Sequence, residues 1–245
     1  MAAYVIRVGC HSAQGVRPNN EDSYVDDPER QLFLVADGMG GQERGEQASG
    51  MAATIIPRVI QDRLAAHDEA GEAVRRALAE ANQAIVDAGR DQPLGRRMGT
   101  TAVLAVQQQD QVYVAGLGDS RAYLIRGDRV EQLTVDHSVA WALVASGTLT
   151  PEQARQSPWQ HVLHKFLGCA EMTEGPEVRP FTPEAGDRLL LASDGLTNHI
   201  SEADLRDGAR GCPDPQTWAD QLVQIALQRG SRDNVTCVVV AFDAE

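Results

Sequence analysis

Leu34-Val35-Ala36-Asp37-Gly38-Met39-Gly40-Gly41 begins as an aliphatic strand and ends in a carboxylate followed by glycines. The first part has enough branched aliphatic side chains to lie inside a sheet, so the acid is expected where the strand leaves the core. Glycines allow the backbone to approach a ligand closely. On its own, the stretch is typical both of a tight turn and of a metal or phosphate site.

Composition and charge narrow the class of protein. The chain has 245 residues, 42% of them hydrophobic, which is enough to bury a full core. Its net charge of -13 would repel nucleic acid and anionic membranes, so we expect neither as a partner. The same charge can attract cations.

The sequence carries no signal for secretion, for a membrane span or for disulfide chemistry. The N-terminal stretch is short and polar, and no apolar run reaches the length of a membrane-spanning helix. A cytoplasmic location is therefore expected. The four cysteines form no Cys-x-x-Cys pair, which predicts reduced thiols at Cys10, Cys169, Cys212 and Cys237.

Blocks of strands and pairs of helices follow one another along the chain. Aliphatic and alternating runs predict strands over residues 4–10, 31–36, 177–181, 188–192 and 234–242. Apolar spacings of three and four predict helices over residues 46–65, 69–88, 201–207 and 215–229. Closely spaced short runs predict an antiparallel meander over residues 101–106, 111–115, 121–125 and 129–133. This grouping favours an α+β sandwich in which helices cover antiparallel sheets.

Residues 136–175 interrupt this pattern with two short helical pieces, around residues 139–145 and 151–156. We interpret the segment as a flap appended to the core. No linker or repeat divides the rest of the chain, so residues 1–245 are expected to form a single domain that includes the flap.

Acidic residues recur at the ends of predicted strands. Asp119 and Asp194 each follow an apolar strand, as Asp37 does, and Asp233 comes just before the last strand. If these strand ends converge, the carboxylates form a cluster whose repulsion needs cations. Oxygen ligands without His or Cys suit Mg²⁺ or Mn²⁺ better than zinc. The alternative is that each Asp caps its own turn.

Seven motifs occur in an order that a known family shares. They are Gly15-Val16-Arg17-Pro18-Asn19-Asn20-Glu21-Asp22, Asp37-Gly38-Met39-Gly40-Gly41, Gly99-Thr100-Thr101-Ala102, Gly118-Asp119-Ser120-Arg121, Asp136-His137-Ser138, Ser193-Asp194-Gly195-Leu196 and Asp233-Asn234-Val235-Thr236. On these motifs the chain resembles, over essentially its whole length, a bacterial metal-dependent protein phosphatase, a family also called protein phosphatase 2C. The resemblance implies a four-layer α-β-β-α sandwich, with two central antiparallel sheets flanked by helix pairs and an inserted flap.

The resemblance also implies a centre of two divalent cations, Mn²⁺ or Mg²⁺, with a possible third. Asp37 would bridge the two ions, and the Gly38 carbonyl would serve one of them. Asp194 and Asp233 would hold the other ion, with Asn234 as a supporting neighbour.

Further site residues follow from the same motifs. Asp119 would join Asp194 at the third, weaker position. Asp22 would orient the water of the centre, with Glu21 in a lesser supporting role. Arg17 would clamp the phosphate, since a planar guanidinium can bind phosphate through two parallel hydrogen bonds.

The function implied is hydrolysis of phosphoserine and phosphothreonine on proteins by metal-activated water. A bacterial setting implies a Ser/Thr kinase and its targets as partners, a flap that selects the substrate, and a monomer. Two alternatives stay open: a non-catalytic regulatory or binding module of the same fold, and a phosphatase for small metabolites.

Two positions depart from the family pattern. Met39 stands where many eukaryotic relatives have a histidine proposed as general acid, so the leaving group would take its proton from elsewhere. Gln42 stands where many bacterial relatives have a histidine. Neither change removes an expected metal ligand.

Several other polar residues invite a functional interpretation that their context does not favour. His161 and His164 are spaced to share a helical face, but no acid is near in sequence, so we expect a solvated flap surface. Ser120 and Ser193 lie beside acids, yet no Gly-x-Ser-x-Gly elbow supports a nucleophile.

Overall fold

A computed structural model of the chain shows two antiparallel sheets stacked face to face. The structure describes residues 4–40, 43–91, 98–170 and 175–245. The first sheet has the order β1 (Tyr4–Ala13), β11 (Val235–Ala244), β10 (Arg188–Ala192), β7 (Arg121–Arg126) and β8 (Arg129–Gln132). The second has the order β2 (Asp22–Asp27), β3 (Leu32–Met39), β5 (Ala102–Gln108), β6 (Gln111–Leu117) and β9 (Val178–Phe181), with β4 (Gly99–Thr100) paired to β3.

Helices cover the outer face of each sheet. The second sheet is covered by α1 (Glu43–Ala65) and α2 (Ala70–Ala88), and the first by α6 (Glu202–Gly211) and α7 (Pro215–Gln228). Three shorter helices complete the described part of the chain, namely α3 (Val139–Ala145), α4 (Pro151–Arg155) and α5 (Asp194–Thr197). The predicted α+β sandwich of four α-β-β-α layers is confirmed. Among the described residues, no helix combines the length and the apolar character needed to cross a membrane.

Strand β3 shows why the layers form. Its side chains alternate between two cores: Leu32, Leu34 and Ala36 pack against the helices, whereas Phe33 and Val35 pack between the sheets. A strand with both faces buried needs a continuous apolar run, because successive side chains point to opposite faces. This run ends at Asp37, where the strand reaches a cavity.

The predicted four-stranded meander is wrong. The hairpin of β5 and β6 belongs to one sheet, and the hairpin of β7 and β8 belongs to the other. The second edge of β6 pairs with β9, and the second edge of β7 pairs with β10, so β6 and β7 do not pair. The chain changes sheets at Gly118, whose φ of +94° suits glycine, and this crossover carries Asp119.

Two short elements near the cavity were not predicted. Residues 22–27 form β2, which pairs with β3 so that Asp22 stands opposite Asp37. Three aspartates in six residues have low strand propensity, so this segment resembles a loop in sequence. Asp194 begins the single turn of α5 rather than extending the end of a strand.

The flap is attached to the core at several points. Arg121 of β7 donates hydrogen bonds to both carboxylate oxygens of Asp136, the first residue of the predicted flap, at 2.6–3.1 Å. Isolated bridges join Ser138 to Leu163 within the flap and Thr100 to Leu167 of the flap. The helical pieces predicted for the flap correspond to α3 and α4.

The structure records all four cysteines as free, in agreement with the predicted reduced thiols. Cys212 and Cys237 are buried, whereas Cys10 and Cys169 are half-buried.

Candidate metal centre

A cavity of about 460 Å³ opens where β3, β6 and β10 end and where β11 begins. Its lining includes every site residue predicted from the sequence except Asp22. Asp22 is buried directly beside it, opposite Asp37 in the β2–β3 pair. Residues far apart in the chain therefore meet at one place.

The backbone of Asp37 is fixed by the neighbouring threonines. The Asp37 N–H donates to Thr101 Oγ1 at 2.9 Å. The Asp37 carbonyl accepts from Thr100 Oγ1 and from the Thr101 N–H, both at 2.9 Å. With its backbone held on both sides, the Asp37 carboxylate has a defined position in the cavity.

One carboxylate oxygen of Asp22 accepts a hydrogen bond from a serine, and the other has no partner among the described residues. Ser193 Oγ donates to Asp22 Oδ2 at 3.0 Å, while Asp22 Oδ1 is buried without a hydrogen-bond partner among the described residues. A buried acceptor without a partner is costly unless a further ligand or water satisfies it. Ser193 is itself fully buried, which makes it a positioning residue for Asp22 and excludes it as an accessible nucleophile.

The carboxylates of the cavity disfavour one another's charged forms. Burial, followed by the nearby aspartates, raises the pKa of Asp22 to about 7. Burial and Asp194 likewise raise the pKa of Asp119 to about 7. Burial and four surrounding aspartates hold the pKa of Asp37 well above its usual range. Divalent cations would relieve this repulsion, and the all-oxygen donor set together with the unpartnered Asp22 Oδ1 fits them.

Asp233 and Asn234 join the last strand to the N-terminal loop. Asn234 Nδ2 donates to the carbonyls of Gln14 and Asn19, at 2.8 and 3.0 Å, and its Oδ1 accepts from the Glu21 N–H at 2.8 Å. Arg17 Nη2 donates to Asp233 Oδ2 at 2.6 Å, so the predicted phosphate clamp lies beside a predicted metal ligand. Asn234 therefore shapes the loop that carries Arg17.

Gly38 lies in a cradle that has no room for a side chain. A Cβ at this position would come within 2.1 Å of the Gly45 carbonyl oxygen and 2.6 Å of the Glu21 carbonyl oxygen. The Gly38 N–H donates to that same Glu21 carbonyl at 3.1 Å. The Glu21 side chain lines the cavity, where burial raises its pKa.

His161 lies on the exposed flap surface, as expected, but the fold also brings it close to an acid that its sequence neighbourhood lacks. Its side chain is 54% exposed, but Nδ1 lies 3.4 Å from Asp194 Oδ2 and the residue lines the cavity. The hydrogen bond to Asp194 raises the pKa of His161. His164 does remain exposed, with its ring 5.9 Å from that of His137. The two histidines share no helix, because the flap is irregular between residues 156 and 170.

The sequence analysis also missed the supporting roles of Thr100, Thr101 and Ser193. The Gly99-Thr100-Thr101 motif was recognised without a role, and its hydroxyl groups prove to hold Asp37. Met39 lines the cavity, and its thioether has no acidic proton to give a leaving group. Gln42 lies outside the described residues.

We predict that metal-free protein becomes less stable as the pH rises. Between about pH 4 and pH 7, Asp22 and Asp119 bind more protons in the folded chain than in the unfolded chain, because their pKa values are raised to about 7. This contribution to the free energy of unfolding is complete below about pH 4 and is lost as the pH passes about 7.

Thermal unfolding of wild type and Asp22→Asn in chelator measures the effect, because the variant removes one titrating carboxyl group and the repulsion that it exerts on Asp37. Relative to wild type, the variant should gain stability as the pH rises from about 4 to about 7. Added Mn²⁺ should stabilise wild type most at the higher pH. A stability difference that is constant with pH would contradict the assignment for Asp22.

Comparisons with known proteins agree with this geometry. The sequence model of the family described as protein phosphatase 2C matches residues 11–234. The protein phosphatase PhpP of Streptococcus pneumoniae is 37% identical over 234 residues, which cover 94% of each chain.

Solved structures resemble the whole fold. The Ser-Thr phosphatase MsPP of Mycobacterium smegmatis, in complex with cacodylate, superposes with a TM-score of 0.84 at 36% identity, covering 99% of this chain and 100% of that one. The catalytic domain of the phosphatase PstP, in complex with 2 manganese ions, superposes with a TM-score of 0.83 at 31% identity, covering 98% and 99%.

Proposed function

Because the chain belongs to the protein phosphatase 2C family, we propose that it hydrolyses phosphoserine and phosphothreonine esters on proteins. The observation that carries this proposal is the convergence of Asp22, Asp37, Asp194 and Asp233 on one cavity, with Arg17, the proposed phosphate clamp, at its edge. A chain that had lost turnover would have no need to keep these mutually repelling acids together.

The residues that would hold two divalent cations are those named by the motifs. Asp37 is proposed to bridge both ions, the Gly38 carbonyl to serve one, and Asp194 and Asp233 to hold the other. The 2 manganese ions in the PstP structure support Mn²⁺ as the first ion to test, with Mg²⁺ as the alternative. When bound, such a pair supplies an activated water nucleophile and offsets charge on the transferring phosphoryl group.

Three hydroxyl-bearing residues hold the carboxylates that would take part in the reaction. Ser193 holds Oδ2 of Asp22, so Oδ1 is free to accept a hydrogen bond from the attacking water. Thr100 and Thr101 keep Asp37 in place before substrate arrives. Such preorganisation costs no rearrangement at the moment of reaction.

We propose that Arg17, at the edge of the cavity, binds the phosphate of the substrate. Its side chain is 55% exposed, and a guanidinium has enough N–H groups to contact Asp233 and a phosphoryl oxygen together. Arg17→Ala should raise the KM for a phosphopeptide about 10-fold while changing kcat much less, because the contact is made in the ground state. Steady-state kinetics at saturating Mn²⁺ measures both constants.

Arg17→Lys is the matched variant, since it keeps the charge but loses the planar two-point contact. Its KM should fall between those of wild type and Arg17→Ala. An unchanged KM in Arg17→Ala would contradict the clamp. Saturating Mn²⁺ matters here because loss of the arginine also changes the surroundings of Asp233.

The proposed activity is tested by hydrolysis of a phosphothreonine peptide with and without Mn²⁺. Hydrolysis that does not need the metal would refute the mechanism. No hydrolysis of phosphopeptides at saturating metal would favour a non-catalytic binding module. Faster release of phosphate from sugar phosphates than from phosphopeptides would favour a small-metabolite phosphatase.

The biological setting is part of the same proposal. We expect the substrates to be proteins phosphorylated by a bacterial Ser/Thr kinase, including the kinase itself. We expect the reaction to take place in the cytoplasm. We also expect residues 1–245 to act as one monomeric catalytic domain, with the flap at residues 136–175 bordering the site and selecting substrates.

A further inference from the structure

The flap contributes a histidine to the cavity. His161, Asp119 and Asp194 each offer one ligand atom, and these atoms lie within 4.8 Å of one another. The three residues come from separate parts of the fold: the sheet crossover after β6, the flap, and the start of α5. Among the described residues, no other group of three His, Cys, Asp or Glu side chains brings its ligand atoms this close.

The spacing suits a single cation after small side-chain shifts. Two ligands on one ion with bonds of about 2.1 Å stand about 3 Å apart when adjacent and about 4 Å apart when opposite. His161 Nδ1 and Asp194 Oδ2 are already 3.4 Å apart. An exposed histidine side chain can make the remaining adjustment by rotation.

The surroundings of Asp119 also favour a cation, because burial and the nearby Asp194 disfavour its charged form. The residue is only 9% exposed and lines the cavity. No side chain in the described part of the chain donates a hydrogen bond to its carboxylate. The Asp119 carboxylate accepts a hydrogen bond from its own backbone N–H, so a cation between Asp119 and Asp194 would act chiefly by relieving the repulsion of these two carboxylates.

The second ring nitrogen of His161 also has a partner. Gln160 and His161 bring their side-chain nitrogens Nε2 to 2.8 Å. Rotating the Gln160 amide by half a turn would place its oxygen there, as an acceptor for an Nε2–H group. Nδ1 would then present its lone pair to a cation, with the ring held by an outer hydrogen bond as is usual for metal-binding histidines.

We propose that His161 is a ligand of the third cation, completing a site with Asp119 and Asp194 that ties the flap to the core. This proposal rests on the metal centre proposed above and extends it to a flap residue. An imidazole ligand favours transition ions such as Mn²⁺ over Mg²⁺. The affinity of the third site for Mn²⁺ should therefore exceed its affinity for Mg²⁺ by a larger factor than in an all-oxygen site.

The test counts cations bound to the full chain, independently of hydrolysis. By equilibrium dialysis at fixed pH, His161→Ala should bind one equivalent of Mn²⁺ fewer than wild type, or bind that equivalent about 100-fold more weakly. Pulsed electron paramagnetic resonance of the Mn²⁺-loaded protein should show an imidazole ¹⁴N coupling in wild type that His161→Ala lacks. His164→Ala is the matched control, since it removes an exposed flap histidine outside the cavity, and it should match wild type in both measurements.

His161→Glu separates ligation from simple ion pairing with Asp194. If His161 is a ligand, the carboxylate should restore the missing equivalent and let Mg²⁺ fill it nearly as well as Mn²⁺. Equal Mn²⁺ stoichiometry and affinity in wild type and His161→Ala, or no nitrogen coupling in wild type, would overturn the proposal. Hydrolysis of phosphopeptide by wild type in that case would leave the proposed function intact.

Discussion

Asp37→Asn should lower kcat for a phosphothreonine peptide about 1,000-fold or more while leaving the chain folded. In the proposed centre this carboxylate would bridge both cations, and their loss would remove several kcal/mol of transition-state stabilisation. An amide of nearly the same shape can keep the packing but cannot bridge two cations with a negative charge. Steady-state kinetics over a range of Mn²⁺ concentrations measures the loss.

Stability separates this effect from misfolding. Asp37 is surrounded by four other carboxylates, so removing its charge should stabilise the metal-free chain or leave it unchanged. Thermal unfolding in chelator is the measurement. The same substitution should weaken the stabilisation that Mn²⁺ confers, because the cations lose a ligand.

Asp27→Asn is the matched control at the opposite end of the β2–β3 hairpin. Asp27 pairs across the strands with Leu32 and accepts hydrogen bonds from Arg30, far from the cavity. Its change should leave kcat at the wild-type value and cost no more than about 1 kcal/mol of stability. Turnover near wild type in Asp37→Asn would refute the bridging role.

Gly38→Ala should disrupt both folding and activity through a single methyl group. Its Cβ would lie 2.1 Å from one backbone carbonyl oxygen and 2.6 Å from another, and neither can rotate away as a side chain can. Overpacking of this kind costs about 3 kcal/mol or more. For a domain of this size that corresponds to a fall in Tm of about 10 °C.

The same displacement should reach the metal centre. Moving Gly38 away from the Gly45 carbonyl also moves its own carbonyl and the adjacent Asp37. We therefore expect kcat to fall about 100-fold even below the Tm, because a shift of about 1 Å in a catalytic group has that effect. Kinetics at low temperature, where the variant is still folded, separates this loss from unfolding.

Gly50→Ala tests the same substitution where the structure leaves room. Gly50 lies within α1, and a Cβ there would meet no atom within 4 Å apart from its chain neighbours and the backbone of its own helix. Alanine should stabilise the helix by up to about 1 kcal/mol and leave kcat unchanged. A Gly38→Ala protein as stable and active as Gly50→Ala would contradict the proposed cradle.

Much of the architecture could be predicted from the sequence, because its causes are local. The doubly buried strand β3 reads as a continuous apolar run, and α1 and α2 show helical spacing over many turns. The acids after these strands, and the order of the seven motifs, pointed to an oxygen-rich cation site. These features depend on which residue types follow one another.

Other features could not be predicted, because they depend on which segments meet in space. The predicted four-stranded meander does not form, because β6 pairs with β9 and β7 pairs with β10 instead of with each other. Strand β2 was missed because pairing with β3 outweighs the low strand propensity of its aspartates. A local sequence pattern carries no information about pairing between segments that are far apart in the chain.

His161 shows the same limit at the site itself. In sequence it has no acidic neighbour and looks like solvated surface, yet the fold brings it to 3.4 Å from Asp194. The sequence alone predicted antiparallel sheets covered by helices and proposed oxygen ligands, because hydrophobic period and donor type are properties of individual segments. Only the tertiary structure decided the sheet crossover, the unpartnered Asp22 oxygen and the flap histidine, because each arises from packing between segments distant in the chain.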